Sequence, residues 1–389
     1  MVGFQWYLFF YRGINKYSIF FLLLIISCKQ KKSTNQIKKI KKKEIEKYTT
    51  IVSVDDTVLA GPKVIRFDKR SHHLFVYDAG RAQVMELDDE GNVVNHFGRR
   101  GKGPGEFQMV MNMFLTDKYI YIYDHWRYLI DKFDRQGNLI SSMDLGALQG
   151  VSGNGPSIPF SPARVENINN KPFVTQSGNL LLNPDHHKQK DQPVFEEINW
   201  EGNKIAGIGD VPIGGAFTFD ADNYQSAVSN HEIPALYKTQ VFPVNDRAHL
   251  HEFFLVYSAI PKIEKFNAKG RKLWEATIPH TPEIDSVSRK FYTSSEKLEH
   301  GKRLRLIKYM RGVSNKKGEL FLVANKNHYF SWMTNRPLWI HQFNPNGKLI
   351  RRYKLISKDV DLLPLFAIDF AGRRIFVATE KAEIRAYPF

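Results

Sequence analysis

Cysteine is nearly absent: Cys28 stands alone in 389 residues, so no disulfide can form within the chain. Several catalytic signatures are missing as well. There is no G-x-x-x-x-G-K-[ST] phosphate loop, no H-E-x-x-H, no G-x-S-x-G and no cysteine cluster with zinc-finger spacing. Acidic residues are outnumbered, 40 against 56 lysines and arginines, for a formal charge of +16. That charge is unevenly spread. Residues 29–47 hold nine lysines and two glutamates, Arg12 and Lys16 add two positive charges, and about +7 is left for residues 48–389. A mild surplus over that length, with no nucleic-acid-binding motif beside it, excludes nucleic acid as an expected partner. What remains is 42% apolar and 13% aromatic, enough to bury a large core.

The N-terminus has the order of a signal peptide. Arg12 and Lys16 precede Ile19–Ile26, an unbroken apolar octet too short to span a bilayer. The run ends Ile25-Ile26-Ser27-Cys28, which resembles a lipobox, where bacterial processing attaches lipid to the cysteine and cleaves before it. The expected organisation is therefore a signal peptide over 1–27 and a lipidated Cys28 at the head of a disordered, lysine-rich tether over 28–47, with an uncleaved N-terminal anchor helix, lengthened by Phe4–Tyr11, as the alternative. A folded part over 48–389 follows. The implied setting is the envelope of a Gram-negative bacterium, with the membrane as one partner through the lipid.

From residue 48 onward a pattern repeats. An apolar strand recurs as LFVYD (74–78), YIYIYD (119–124), NLLL (179–182), FFLVY (253–257), LFLVA (320–324) and RIFVA (374–378). A second strand follows each: QVMELD, LIDKFD, VFEEIN, KIEKFN, WIHQFN and EIRAYP. Five of these six run into one turn: Asp88 to Gly91, Asp134 to Gly137, Asn199 to Gly202, Asn267 to Gly270 and Asn344 to Gly347. Asp or Asn in first position accepts turn amides, and Gly in fourth takes positive φ without a Cβ clash. Antiparallel units recurring at this spacing predict an all-β, six-bladed β-propeller. The sixth repeat stops at its third strand, while the β-branched stretch at about 48–54 belongs to no repeat. The ring is expected to close by pairing that N-terminal strand with the C-terminal one at about 383–388.

Phe97-Gly-Arg-Arg-Gly-Lys-Gly-Pro-Gly-Glu-Phe107 resembles the linker between blades of NHL-repeat propellers. The match is good over 63–115, and the whole arrangement resembles six-bladed propeller lipoproteins of Gram-negative envelopes. Some six-bladed relatives are enzymes, including lactonases that hold calcium in the channel. The inner strands expected here (63–67, 110–114, 306–310, 365–369) are apolar or basic, and Asn112 and Asp369 are their only obvious oxygen ligands. Calcium wants six to eight oxygens. No cofactor is therefore expected, and calcium enters only under the alternative of a metal-dependent propeller hydrolase or lyase.

In such a blade the loops after the second and fourth strands share one face, and the Asx–Gly turns share the other. The insertions at 145–170, 183–193, 209–236, 278–306 and 325–337 all fall on the first. Residues 283–303 read as an imperfectly amphipathic helix. The loop-rich face is expected to bind a protein, peptide or glycan partner. His125, Trp126, Arg127, Tyr224, His231, Tyr329, Trp332 and Arg336 are the candidate contacts, because flat aromatic faces and forked donors suit such ligands. Each has a structural alternative; Asp78-x-x-Arg81 and Asp124-x-x-Arg127, for example, read as turn braces.

Overall fold

The computed structural model describes residues 40–148 except 54 and 57, and 172–182, 193–210, 220–238, 240–324 and 337–389. Two strands open it, β1 (Lys41–Ile45) and β2 (Thr49–Val52). Blade one is β3 (Pro62–Phe67), β4 (Leu74–Asp78), β5 (Gln83–Leu87) and β6 (Val93–Phe97). Blade two is β7 (Val110–Leu115), β8 (Ile120–Asp124), β9 (Leu129–Phe133) and β10 (Leu139–Asp144), followed by a helical turn, α1 (Leu145–Leu148). Blade three is β11 (Phe173–Val174), β12 (Leu180–Leu182), β13 (Phe195–Ile198) and β14 (Lys204–Ile208). The helices α2 (Ala221–Ser229) and α3 (Ala235–Lys238) come next. Blade four is β15 (Val241–Asn245), β16 (Glu252–Tyr257), β17 (Lys262–Asn267) and β18 (Lys272–Thr277), followed by α4 (Pro282–Ser295). Blade five is β19 (Tyr309–Ser314), β20 (Leu320–Ala324), β21 (Leu338–Phe343) and β22 (Leu349–Leu355). Blade six is β23 (Leu362–Asp369), β24 (Arg374–Thr379) and β25 (Ile384–Pro388), completed by β2.

Burial explains the sequence of each strand. The second strands are sandwiched between neighbouring blades, so LFVYD, IYIYD and LFLVA are buried at every position. The outermost strands face solvent, so VVNHF and KIAGI are mostly exposed. Between blades one and two, Phe107 is fully buried and meets Tyr77 and Phe133 edge-on at 5.8 and 5.9 Å. It fits because Gly98 faces it: a Cβ there would stand 2.1 Å from the Phe107 ring. This is the structural role of the Gly-rich linker.

The repeated turn is built as its composition predicts. Asp88 Oδ1 accepts the amides of Glu90 (3.0 Å) and Asn92 (2.8 Å), and Gly91 adopts φ 91°. Asn344 does the same for Asn346 and Lys348. A Cβ on Gly91 would lie 2.0 Å from the Ile51 carbonyl oxygen, so this turn also seats β2. Gly91→Ala should destabilise the fold by about 2 kcal/mol from the left-handed backbone alone, and further through the Ile51 collision. Urea denaturation checks this; an unchanged midpoint would contradict it.

The ring closes as expected. β2 pairs antiparallel with β25, with Thr49 opposite Ala386 and Val52 opposite Ile384. Tyr48 lies over the Arg385 guanidinium, whose carbon is 4.2 Å from the ring centroid. A second pairing departs from the expected disordered tether over 28–47. Its last residues are β1, which lies parallel to β22 as a fifth strand of blade five, with Lys41 opposite Arg351 and Ile45 opposite Leu355. An edge strand admits so lysine-rich a sequence because only one of its residues need be buried. The lysines of β1 point to solvent, Ile45 enters the core between blades five and six, and Glu44 pairs with Lys354 at 3.1 Å. The N-terminal segment thus latches two consecutive blades.

The insertions of the loop-rich face build a small helical layer. α4 covers the first part of the helix expected over 283–303 but ends at Ser295, eight residues short. α2 and α3 escaped sequence reading. Tyr224, Val228 and Tyr237 pack with Val287, Phe291, Leu304 and Leu306 in a core of their own. Asp220 caps α2 by accepting the Asn223 amide at 2.8 Å.

Candidate functional site

The six inner strands surround a central channel with a cavity of about 200 Å³. Each blade contributes: Arg66, Asn112, Phe173, Asn245, Arg311 and Phe366 all line it, with Arg247 just beyond β15. Backbone bulges help aim these side chains. The pairing register slips between Pro62 and Val64, between Val110 and Asn112, and between Tyr309 and Arg311. Apolar walls come from Met111, Phe114, Phe242 and Met310.

Three guanidinium groups therefore share one small cavity. Arg66 is held rigidly, donating to the Met113 carbonyl (2.8 Å), the Ile65 carbonyl (2.8 Å) and Asn112 Oδ1 (2.5 Å). Arg247 is positioned through its backbone: its amide donates to Ser314 Oγ at 2.8 Å, which in turn donates to the Asn245 carbonyl at 2.7 Å. Neither Arg247 nor Arg311 has a side-chain hydrogen bond among the described residues, and no described carboxylate lines the cavity or pairs with any of the three. The electrostatic consequence is repulsion. Burial, then the charges of Arg311 and Arg247, push Arg66 down to about 9. Burial lowers Arg311 to about 10 and Arg247 in the same direction. All three remain cationic at neutral pH.

The described residues expected to contact ligand fall in the β8–β9 turn and in and just after α2. His125, Trp126 and Arg127 lie in the β8–β9 turn. Trp126 is 61% exposed on the loop-rich face. Arg127 is a brace, donating to buried Asp131 at 2.7 Å and to the Glu106 carbonyl. His125 Nδ1 shares a hydrogen bond with the Tyr123 hydroxyl at 2.9 Å. Asp124 accepts the amides of Gln108 (2.6 Å), Met109, Trp126 and Arg127, so the Asp-x-x-Arg repeat does tie a turn to the linker. Tyr224 is buried, not a surface contact: its hydroxyl bonds Ser295 Oγ (2.8 Å) and accepts the Leu304 amide (3.0 Å), which locks α2 to the α4 insertion. His231 is exposed, its ring tilted against that of Tyr292 with centroids 5.1 Å apart. Tyr329, Trp332, Arg336 and Cys28 lie outside the described residues.

The two oxygen ligands weighed for a metal are not brought together. Asn112 faces the channel with its oxygen engaged by Arg66. Asp369 sits at the β23–β24 turn, accepting the Ala371 and Gly372 amides and pairing with Arg374 at 2.9 Å. Elsewhere, Asp246, His249 and Glu252 converge. Lys265 occupies the middle of that group, with Nζ 2.8 Å from Asp246 and 2.7 Å from Glu252, so an ammonium stands where a metal would.

A further buried network joins α4 to blade five. The Tyr309 hydroxyl meets His341 Nδ1 at 2.7 Å, His341 Nε2 meets Glu283 Oε1 at 2.6 Å, and Arg352 donates to Glu283 Oε2 at 3.0 Å. All four are buried. Burial pushes Glu283 up, but the hydrogen bond and charge of His341, together with Arg352, outweigh it and hold the carboxyl at about 2. Burial lowers His341 and raises Tyr309. The network joins the N-terminal end of α4 to β21 and β22 and so acts as a fastener.

Sequence reading missed Arg247 and Arg311. It placed the fifth inner strand at 306–310, three residues early, and assigned no inner strand to blade four. Counting back from the unmistakable second strands gives a signal: Arg66 precedes Leu74, and Arg311 precedes Leu320, by nearly the same interval.

Comparison with known proteins follows the same lines. No curated protein matches the chain. Among solved structures, an exported protein of Bacteroides fragilis is similar at 12% identity with a TM-score of 0.51, covering 89% of this chain and 98% of that one. A DUF4221 family member from Bacteroides vulgatus gives 11%, 0.48, 89% and 96%. Streptogramin B lyase gives 13%, 0.46, 88% and 97%. Likeness at such identity is one of fold. A family model described as DUF5128, 6-bladed beta-propeller, matches residues 23–354, which take in blades one to five. With that span and the six radial sheets in agreement, the chain belongs to the DUF5128 family of six-bladed β-propellers.

Proposed function

We propose that the protein is a lipid-anchored envelope binding protein that holds its loop-rich face away from the membrane, toward a protein, peptide or glycan partner. The direction of β1 carries this reading. β22 leaves the Asn344–Gly347 turn, and β1 runs parallel to it, so the chain arrives on the side of the Asx–Gly turns. Twelve residues separate Cys28 from Lys41. Fully extended they reach roughly 45 Å, so the anchored segment enters the propeller from the membrane side. A lipid on Cys28 therefore draws the plain face toward the bilayer. The helical layer and exposed Trp126 then point outward. Among the described residues no helix is long and apolar enough to cross a membrane. A fold relative described as exported is in keeping with this setting.

Lipidation is tested by labelling cells with radioactive palmitate. The wild type should carry label and sediment with membranes, and Cys28→Ser should do neither. Orientation is tested with the otherwise cysteine-free chain. In membranes, Trp126→Cys should react with a bulky maleimide several-fold faster than Glu90→Cys, which lies on the Asx–Gly face. Equal rates, or the reverse order, would overturn the orientation.

A further inference from the structure

We propose that the central channel is a binding site for a small organic oxyanion, a ligand carrying two or more carboxylate or phosphate oxygens, gripped by Arg66, Arg247 and Arg311. This does not depend on the lipid anchor or on the loop-rich face.

The three residues come from blades one, four and five, so only closure of the ring brings them together. Buried arginine is ordinarily paired with an acid. Elsewhere among the described residues, four well-placed arginines follow that rule. Arg127 pairs with Asp131, Arg352 with Glu283, Arg374 with Asp369 and Arg385 with Asp359. The channel is the exception: three cations and, among the described residues, no anion. Their mutual repulsion costs stability that a bound anion would return. Guanidinium forks match carboxylate and phosphate in pairs of parallel hydrogen bonds, and Arg247 and Arg311 have theirs uncommitted among the described residues. Arg66 is the fixed wall of the site, since two backbone carbonyls and Asn112 hold it.

Size and polarity narrow the ligand class. A cavity of about 200 Å³ is below the range of drug-sized sites, so the ligand is a small acid or a sugar phosphate rather than a polymer. Phe114, Phe242, Met111 and Met310 supply apolar walls, which suit a carbon skeleton better than a bare inorganic ion. The cationic part lies toward the Asx–Gly face, because Arg247 is in the β15–β16 turn and Arg66 is next to last in β3.

The test is titration calorimetry on the full chain purified in detergent, with citrate and glucose 6-phosphate as probes and glucose as the neutral control. At least one anionic probe should bind and glucose should not. Arg311→Gln and Arg247→Gln should each weaken binding roughly ten- to a hundred-fold, the loss expected for a hydrogen bond between charged groups. Thermal melting gives a readout that does not need the ligand. Removing one of three repelling cations should leave the melting temperature of the free protein unchanged or raise it, and the anionic probe should raise that of the wild type. If both variants instead melt earlier and no probe stabilises the wild type, the arginines are structural and the proposal fails. It fails equally if glucose binds as well as the anions, or if the variants bind the anionic probe undiminished.

Discussion

Glu283→Ala should lower the stability of the fold by about 3–5 kcal/mol, the largest effect expected of any single side chain here. Among the described residues, Glu283 is the only acid facing His341 and Arg352 in their buried network, and it fastens α4 across blade five. Removing it leaves an uncompensated guanidinium and an unpartnered imidazole nitrogen in a buried setting. Glu283→Gln keeps an acceptor for His341 but loses the charge, and its loss should be smaller. The pH dependence has a definite sign. Glu283 titrates near 2 in the folded chain against an ordinary 4.5, so its stabilisation is complete above pH 4.5 and is lost as pH falls toward 2. His341 is also lowered by burial, so protonation favours the unfolded chain and stability begins to fall as pH drops below about 6.5. Denaturation of wild type and Glu283→Gln from pH 7 to pH 2 checks both. The two curves should converge in the acid range, because only the wild type has a carboxylate to protonate. Parallel curves would show that the network does not fasten the helix.

Deleting residues 29–53 should abolish the native ring. Without β2, the edge of β25 is left unpaired, and Val52, fully buried between the first and last blades, is lost with it. Tyr48 also leaves, exposing Tyr387 and Arg385. Burying a valine alone contributes about 2 kcal/mol, and the latch adds Ile45 and Tyr48 to it. Against a total stability of 5–15 kcal/mol, that loss should be enough to give an aggregating or open chain. Two shorter deletions grade the effect. Removing 29–39 should leave the melting temperature unchanged. Removing 29–47 takes β1 but spares β2, and should give a folded, less stable protein. If the 29–47 deletion melts like the wild type, the pairing of Lys41–Ile45 with blade five contributes nothing.

The architecture was readable because its signals are local and repeated. Second strands packed on both faces must be apolar throughout, and the Asx–Gly turn needs two residue types at fixed spacing. Closure at 48–54 followed from a strand with no blade and a blade with no fourth strand. β1 was hidden because an edge strand tolerates lysine at every solvent-facing position, and Ile45 alone carries its burial. The channel arginines were hidden for another reason. Inner strands are short, bulged and mixed in composition, so neither their ends nor their side-chain directions follow a simple alternation. Arg66, Arg247 and Arg311 lie far apart in sequence and meet only through the ring. Tyr224 shows the converse: an aromatic in an insertion suggests a contact surface, but here it builds the core that lets the insertion fold.

Crystals of the protein soaked in bromide test the channel most directly, because the anion's anomalous scattering reports its position without a choice of ligand. A bromide peak should lie among the guanidinium groups of Arg66, Arg247 and Arg311. A channel that stays free of bromide, with each arginine instead bonded to a carboxylate of the protein, would contradict the reading of this propeller as a receptor for small anions.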